Sequence, residues 1–590
     1  MRQNVSDPIT SFMDWCRLAQ WLFWMVIGLS LTTACQPQQK SAENPTTAQV
    51  ICRTAPTDKA WYSSGQKAPL LDSLGDLNFP ITTQSQKAQR YFNQGLMLAV
   101  GFNHAEAARS FYEATRLDSS CAMAYWGFSY VLGPNYNAGM ETDNYERAYA
   151  AIRQAIKLSV SCTDKEKALI NALATRYPDT SVENRKPYDE AYSKAIKGVH
   201  EQFPDDADIA ALYAESLMDL HPWDLWEHDG RPKPWTPGII TALEKLMLRN
   251  PNHIALNHYY IHAVEASKTP ERGLKSAAIL GSVAPKASHL VHMPSHIYIR
   301  TGDYHRGSLS NWKAVKVDSL YLMGTYAQGA FPLNYFPHNY HLLVATATME
   351  GNYQWAMASA RKVAENTHKK LMADPAWLTL QHFYIVPYHV AIKFGQWDEL
   401  MRMCKADTVK LMYPTAVRHY ASGLALVGKK QLPQAKLELQ QLEKLATEPS
   451  IAKMTVGPVN SARSILEIAR RVLKAEILTQ EGQFSSSVKL LQQAVLLEDA
   501  LNYNEPPDWF FSVRHNLGNT LLKAKRYKEA EAVFTADLAV YPRNGWALAG
   551  LHKAQVNLGL TANARQTQAL LIQASMWADK DVKTGGMSEW

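Results

Sequence analysis

The sequence predicts an all-α protein, a superhelical solenoid of paired helices interrupted by Pro- and aromatic-rich insertions. Three observations predict it. Small residues and aromatics return at fixed offsets, as in Gly95, Ala107, Phe111 and Ala114 near one end and Gly518, Ala530 and Phe534 near the other. Histidines and apolar residues recur at spacings of three, four and seven, which place side chains on one face of a helix. At 590 residues the chain is long for a single compact core, yet its 46% hydrophobic content is that of an ordered protein.

The first element is an export signal. Arg17 precedes an apolar run, residues 21–31, too short for a membrane span and right for the centre of a signal peptide. Leu31-Thr32-Thr33-Ala34-Cys35 resembles a bacterial lipobox, with Thr32 where that pattern usually has Leu. The resemblance implies that residues 1–34 are removed and that Cys35 carries lipid. An ordinary secretory signal or an uncleaved anchor remains the alternative. Residues 35–84 follow as a tether, Gln/Ser/Asn/Pro-rich over 36–48, and an N-terminal extension. The expected location is therefore the cell envelope, lipid-anchored to the outer membrane or facing the periplasm. Cys52, Cys121, Cys162 and Cys404 would then meet an oxidising compartment, with three complete pairings open and no CxxC among them. The net charge of +7 comes without a basic patch interleaved with aromatics, so no nucleic-acid partner is expected.

The repeats come next, as N-terminal units (85–253), histidine-rich central units (254–414) and C-terminal units (415–590). Tyr91, Gly95, Ala107, Phe111, Ala114 and Ser119 fall at positions 4, 8, 20, 24, 27 and 32 of a repeat. Gly518, Ala530, Phe534 and Pro542 fall at 8, 20, 24 and 32 of another, starting at Phe511. This resembles the 34-residue tetratricopeptide repeat, in which small residues at 8 and 20 let two helices approach. Further units start at Ile254, Ser288, Pro337, Gln381, Ala416, Ile468 and Gly545, and roughly ten are expected in all. The phrases Gly101-Phe102-Asn103-His104-Ala105-Glu106, Tyr125-Trp126-Gly127, His292-Met293-Pro294-Ser295-His296 and Asn544-Gly545-Trp546-Ala547-Leu548 resemble a family of large, histidine-rich bacterial tetratricopeptide lipoproteins. That resemblance spans roughly residues 80–570, and it implies the fold but no chemistry.

Insertions interrupt the rhythm at residues 133–137, 221–237, 331–337 and 504–511. They are rich in Trp, Tyr, Phe and Pro. They are expected either to cover a binding face or to clamp one repeat on the next.

Twelve of the nineteen histidines lie between His253 and His389. Tetratricopeptide proteins line their concave groove with positions 2, 5, 9 and 12 of each first helix. In a register set by Gly, Ala, aromatic and Pro residues, His258 and His262 take positions 5 and 9, with Glu265 at 12. His289, His292 and His296 take 2, 5 and 9 of the next unit, and His338 and His341 take 2 and 5 of the one after. His382 and His389 take 2 and 9 of the Gln381 unit. Nine histidines from four first helices thus face one groove.

Neighbouring helices pack about 8–10 Å apart, so imidazoles from adjacent units can share an ion. Neutral imidazole suits Zn, Cu, Fe or Ni. The expected ligands are His258, His262, His292 and His296, with Glu265 as ligand or base, followed by His289, His341 and His389. His338, His382, Tyr298, Tyr340 and Tyr384 are expected as groove walls and donors for a ligand. Three functions follow: a groove that binds a partner protein, peptide or small ligand; a metal-binding protein or metalloenzyme; and an envelope scaffold that works through its convex surface.

Overall fold

The computed structural model describes residues 59–325, 331–374, 377–456 and 460–579. The signal segment, Cys35 and Cys52 lie outside the described residues.

Helices follow one another as hairpins from Gln86–Val100 with His104–Leu117 to Gly545–Asn557 with Thr561–Ala574. The architecture is the all-α helical-repeat superhelix of tetratricopeptide type. The single β element among the described residues is a two-residue antiparallel pair, Thr455–Val456 with Asn460–Ser461. No described helix is long and apolar enough to cross a membrane.

The register residues do what their sizes predict. A Cβ on Gly95 would stand 2.8 Å from the Phe111 ring, and one on Gly127 of the next hairpin 2.3 Å from it. Gly518 and Gly550 sandwich Phe534 in the same way, at 2.5 and 2.2 Å. Each aromatic at position 24 therefore fills space that two glycines leave open. A methyl there overpacks the joint, at a cost of about 1–3 kcal/mol. Helix starts are capped by Ser85, Asn103, Asp206, Asn352 and Asn544. Thr163 and Glu166 form a reciprocal capping box.

Two departures from a regular solenoid matter for the site. First, two of the histidine-bearing helices are broken. Ser288–His292 is followed by Pro294–Thr301, and Thr379–Tyr384 by Val386–Lys393, with Pro294 and Pro387 in the first turn of each second half. Proline removes a helix hydrogen bond and crowds the preceding turn, so each helix yields there.

Second, repeats distant in sequence touch, whereas in an open solenoid each repeat meets only its neighbours. Trp546 Nε1 donates to the Thr348 carbonyl at 2.9 Å, and the Tyr304 hydroxyl to the Pro542 carbonyl at 2.9 Å. Near the other end, the Phe102 ring reaches His258 of the central units. The superhelix is wound so tightly that its concave side closes on itself. Two buried apolar clusters result. One runs from Leu74 to Tyr298 and takes in Phe331 and Tyr335, and the other runs from Ile299 to Ala554.

The insertions fill what remains of the groove. Tyr136 stacks on Trp223 at 5.7 Å, and Trp226 Nε1 donates to the Ala263 carbonyl at 2.9 Å. Phe510 lies flat on His341 at 5.2 Å. Of the thiols expected to choose among pairings, Cys121, Cys162 and Cys404 are buried and free.

Candidate metal centre

Positions 2, 5 and 9 do point inward. Apart from His338, which is half-buried, none of the nine groove histidines is more than 6% exposed. The structure sorts them into two triads and a loose remainder.

The first triad is His258, His262 and His289. One ring nitrogen of each lies within 4.8 Å of the others. His258 and His289 come from adjacent units, and their Nε2 atoms stand 3.1 Å apart. The Phe102 ring packs on all three imidazoles, with centroids at 4.7, 5.8 and 5.2 Å. Phe102 sits in the left-handed region at φ 56°, in the Gly101-Phe102-Asn103 turn between paired helices.

The second triad is His292, His296 and His338. His292 Nε2 lies 2.7 Å from His296 Nε2 and 3.2 Å from His338 Nε2. Nitrogens bound to one ion at about 2.0–2.1 Å stand roughly 3.3 Å apart in a tetrahedron, so these separations are close to those of a ligand set. His338, expected as a groove wall, is thus a full member. The broken helix supplies the other two from either side of Pro294.

Hydrogen bonds behind the rings decide which nitrogen faces inward. The Asn311 amide donates to the Gly307 carbonyl at 3.0 Å, which turns its oxygen toward His292. His292 Nδ1–H therefore donates to Asn311 Oδ1 at 2.7 Å and leaves Nε2 bare. Glu265 does the same for two rings. Its carboxylate accepts from His262 Nδ1 at 2.8 Å and from His296 Nδ1 at 2.5 Å. Glu265 was expected as ligand or base; with both oxygens on Nδ1 hydrogens, it instead orients one histidine of each triad. His262 Nε2 is then left buried with no partner.

Burial dominates the titration of these rings. It pushes His258, His289 and His292 well below the usual imidazole range, and neighbouring imidazoles push further. Burial, with His296 next, lowers His338 to about 3. His262 is lowered less, because Glu265 works against burial. For His296 burial would lower the value too, but the Glu265 carboxylate overcomes it and the net shift is upward. Neutral imidazoles are the ligand form.

The remaining candidates stand apart. His341 and His382 are ring neighbours at 6.0 Å, but His382 Nδ1 is engaged by the Tyr413 hydroxyl at 2.8 Å. His389 packs on Trp509 and Phe510. Among the tyrosines, Tyr298 lies under the Arg306 guanidinium, Tyr340 packs on Phe336, and Tyr384 donates to Asp407 at 2.9 Å. The residues that sequence reasoning passed over are Phe102, Asn311, Tyr503 and Glu505. Phe102 and Glu505 lie in segments already singled out, but nothing in their spacing ties them to histidines.

A cavity of about 100 Å³ adjoins His262 and Glu265, walled by Tyr136, Trp223 and Tyr503. The Tyr503 hydroxyl donates to Glu505 at 2.6 Å and lies 3.5 Å from Glu265. Burial raises the Glu505 carboxyl to about 7.

No protein-family model matches the chain, and no curated protein matches it. Among solved structures the chain is similar to human IFIT1, described as a dimer with m7Gppp-AAAA, at 12% identity over 85% of this chain and 92% of that one, with a TM-score of 0.30. It is similar to yeast Tom70 at 13% identity over 84% and 98%, with a TM-score of 0.32. It is also similar to the tetratricopeptide domain of P58(IPK) at 11% identity over 80% and 99%, with a TM-score of 0.22. Likenesses this distant carry no conclusion about ligand or partner.

Proposed function

We propose that the chain is a metalloprotein whose buried histidine centre holds a transition metal. One observation carries the reading. His292 Nε2 and His296 Nε2 face each other at 2.7 Å while the Nδ1 hydrogen of each is committed, to Asn311 and to Glu265. Two bare lone pairs at that distance repel unless a cation lies between them. A shared proton answers the repulsion for one pair of nitrogens. A metal ion answers it for the whole triad, and at His292 and His338 it uses the neutral imidazole that burial favours. By donor type the candidates are Zn, Cu, Fe and Ni.

A helical-repeat fold offers surfaces for protein or ligand binding. In this chain the groove interior is filled by Phe102, Trp223 and Phe510, so the cavity beside His262 favours a small ligand over a peptide along the histidines. The sequence adds a location to the reading: a lipid at Cys35 would hold the protein in the cell envelope. Replacing Cys35 with Ser should then move the protein from the membrane to the soluble fraction.

The deciding measurement is the metal content of the full chain purified without a histidine tag. Stoichiometric metal is expected, and the His292→Ala/His296→Ala double variant, which removes two of three donors from the second triad, should hold less. A wild-type protein that holds no metal, as purified or after incubation with each of the four candidates, would overturn the proposal.

A further inference from the structure

Resting on that reading, we infer that the centre holds two copper ions, one in each histidine triad, and binds dioxygen between them.

The pairing follows from how the triads sit. Each closes on itself, with one ring nitrogen from each member within 4.8 Å of the other two. Yet the triads are also in contact with each other. Ring centroids within a triad are 4.6 to 6.0 Å apart. Across the boundary His262 to His296 is 5.7 Å, and His289 to His292 is also 5.7 Å. The Glu265 carboxylate ties them, with one oxygen on His262 and the other on His296. A single ion can take one triad. Placed in the second triad, it leaves the first as three buried imidazoles with His262 Nε2 still unpartnered. Two ions satisfy both.

Charge selects the metal. Both donor sets are imidazole nitrogen alone, and among the described residues the carboxylate bonded to them, Glu265, is spent on Nδ1 hydrogens. Two divalent ions side by side would put four positive charges beside one negative charge in a buried site. Their mutual repulsion is four times that of two monovalent ions at the same separation, since Coulomb energy scales with the product of charges. Among the metals that imidazole suits, copper is the one with an accessible monovalent state, and three nitrogens satisfy it while leaving a face open.

Two adjacent copper(I) ions are a two-electron donor. Dioxygen entering through the cavity beside His262 and Glu265 takes one electron from each ion. The products are two copper(II) ions and one bridging peroxide dianion, so electrons balance and no proton is required. Tyr136 and Trp223 line this cavity together with the polar and charged side chains Asp224, Glu227, Lys233 and Tyr503, and its volume of about 100 Å³ admits a molecule as small as dioxygen.

The test is anaerobic reconstitution of the full tag-free chain with copper(I), followed by copper counting and admission of oxygen. Two coppers per chain are expected, with an intense near-ultraviolet peroxide-to-copper absorption that appears on oxygenation. His258→Gln should hold one copper and His338→Gln should hold one. Neither should show the absorption, while both should keep the far-ultraviolet circular dichroism of the parent. One copper in the wild type overturns the pair while leaving a metal centre in place. No copper at saturation, with zinc, iron or nickel bound instead, overturns the choice of metal and leaves the earlier proposal standing. Two coppers with no spectral change under oxygen overturns the dioxygen step. The wild-type count needs no variant, so the inference stays exposed even if a substitution disturbs folding.

Discussion

Two buried histidine networks, among the three groups in the described residues, are built to opposite rules. Toward the C-terminus, His515 has a partner at each ring nitrogen. Nδ1 meets Lys393 Nζ at 2.7 Å, and Nε2 donates to Asp537 Oδ2 at 3.0 Å. Asp537 in turn accepts from Asn544 at 2.9 Å. In the central units Nδ1 of His262, His292 and His296 is held by Glu265 or Asn311, and the other ring nitrogens of these three converge with those of His258, His289 and His338. The loose group is intermediate. His341 Nε2 and His389 Nε2 have no partner, but the Phe510 ring lies against both. Burial is common to all three. What separates a ligand set from structural histidines is bare nitrogens directed at one point, since a buried polar atom without a partner costs about 1–3 kcal/mol and is retained for a reason.

The largest effect is expected at the second triad. The His292→Ala/His296→Ala double variant should lose all metal from the second triad, whereas His515→Asn should keep the parent content; metal analysis of the two side by side checks this. Next comes Glu265→Gln. Partners that orient a ligating histidine are commonly worth about 10–100-fold in affinity, so competition with a chelator should show a loss of that size.

The C-terminal network predicts a pH effect of its own. Burial lowers the Lys393 amine to about 7, with Asp537 opposing. The unfolded chain carries an ordinary lysine, so between about 7 and 10.4 it binds more protons than the folded chain. Stability contributed here therefore rises with pH across that window and is lowest below it. Each unit of displacement is worth about 1.4 kcal/mol. Lys393→Met should flatten the rise, as read from urea unfolding at several pH values, and should leave metal content unchanged. An equal slope in parent and variant would remove Lys393 as the source.

The smallest expected effect is at Tyr384, whose hydroxyl donates to Asp407 from a half-buried site. Tyr384→Phe should cost about 0.5–1.5 kcal/mol and leave the centre untouched. A change in metal affinity there would show that the outer residues are coupled to the triads.

Much of the fold was legible because packing size is a local property. Gly95, Phe111, Gly518 and Phe534 announce the helix pairs, and the structure shows each ring occupying a glycine's missing side chain. Of the nine histidines that the same register turned inward, eight are buried and His338 is half-buried. The register did not show how they group in space, because distance along the chain is not distance between rings. His338 belongs with His292 and His296, whereas His389 lies beside Trp509. The breaks at Pro294 and Pro387 stood in the sequence, but a continuous helix was expected over both.

By itself, then, the sequence determined the helices, their pairing and the face each histidine occupies, because helical periodicity and side-chain volume act within one or two repeats. Only the tertiary structure decided that the superhelix closes on itself and that Phe102 and residues 504–511 seal the groove. It also decided that Asn311 and Glu265 choose the nitrogen that points inward. The physical reason is that spacing fixes a direction from one helix axis. Convergence on a point requires the distances between axes and the hydrogen-bond acceptors behind each ring. Those come from segments far away in the chain.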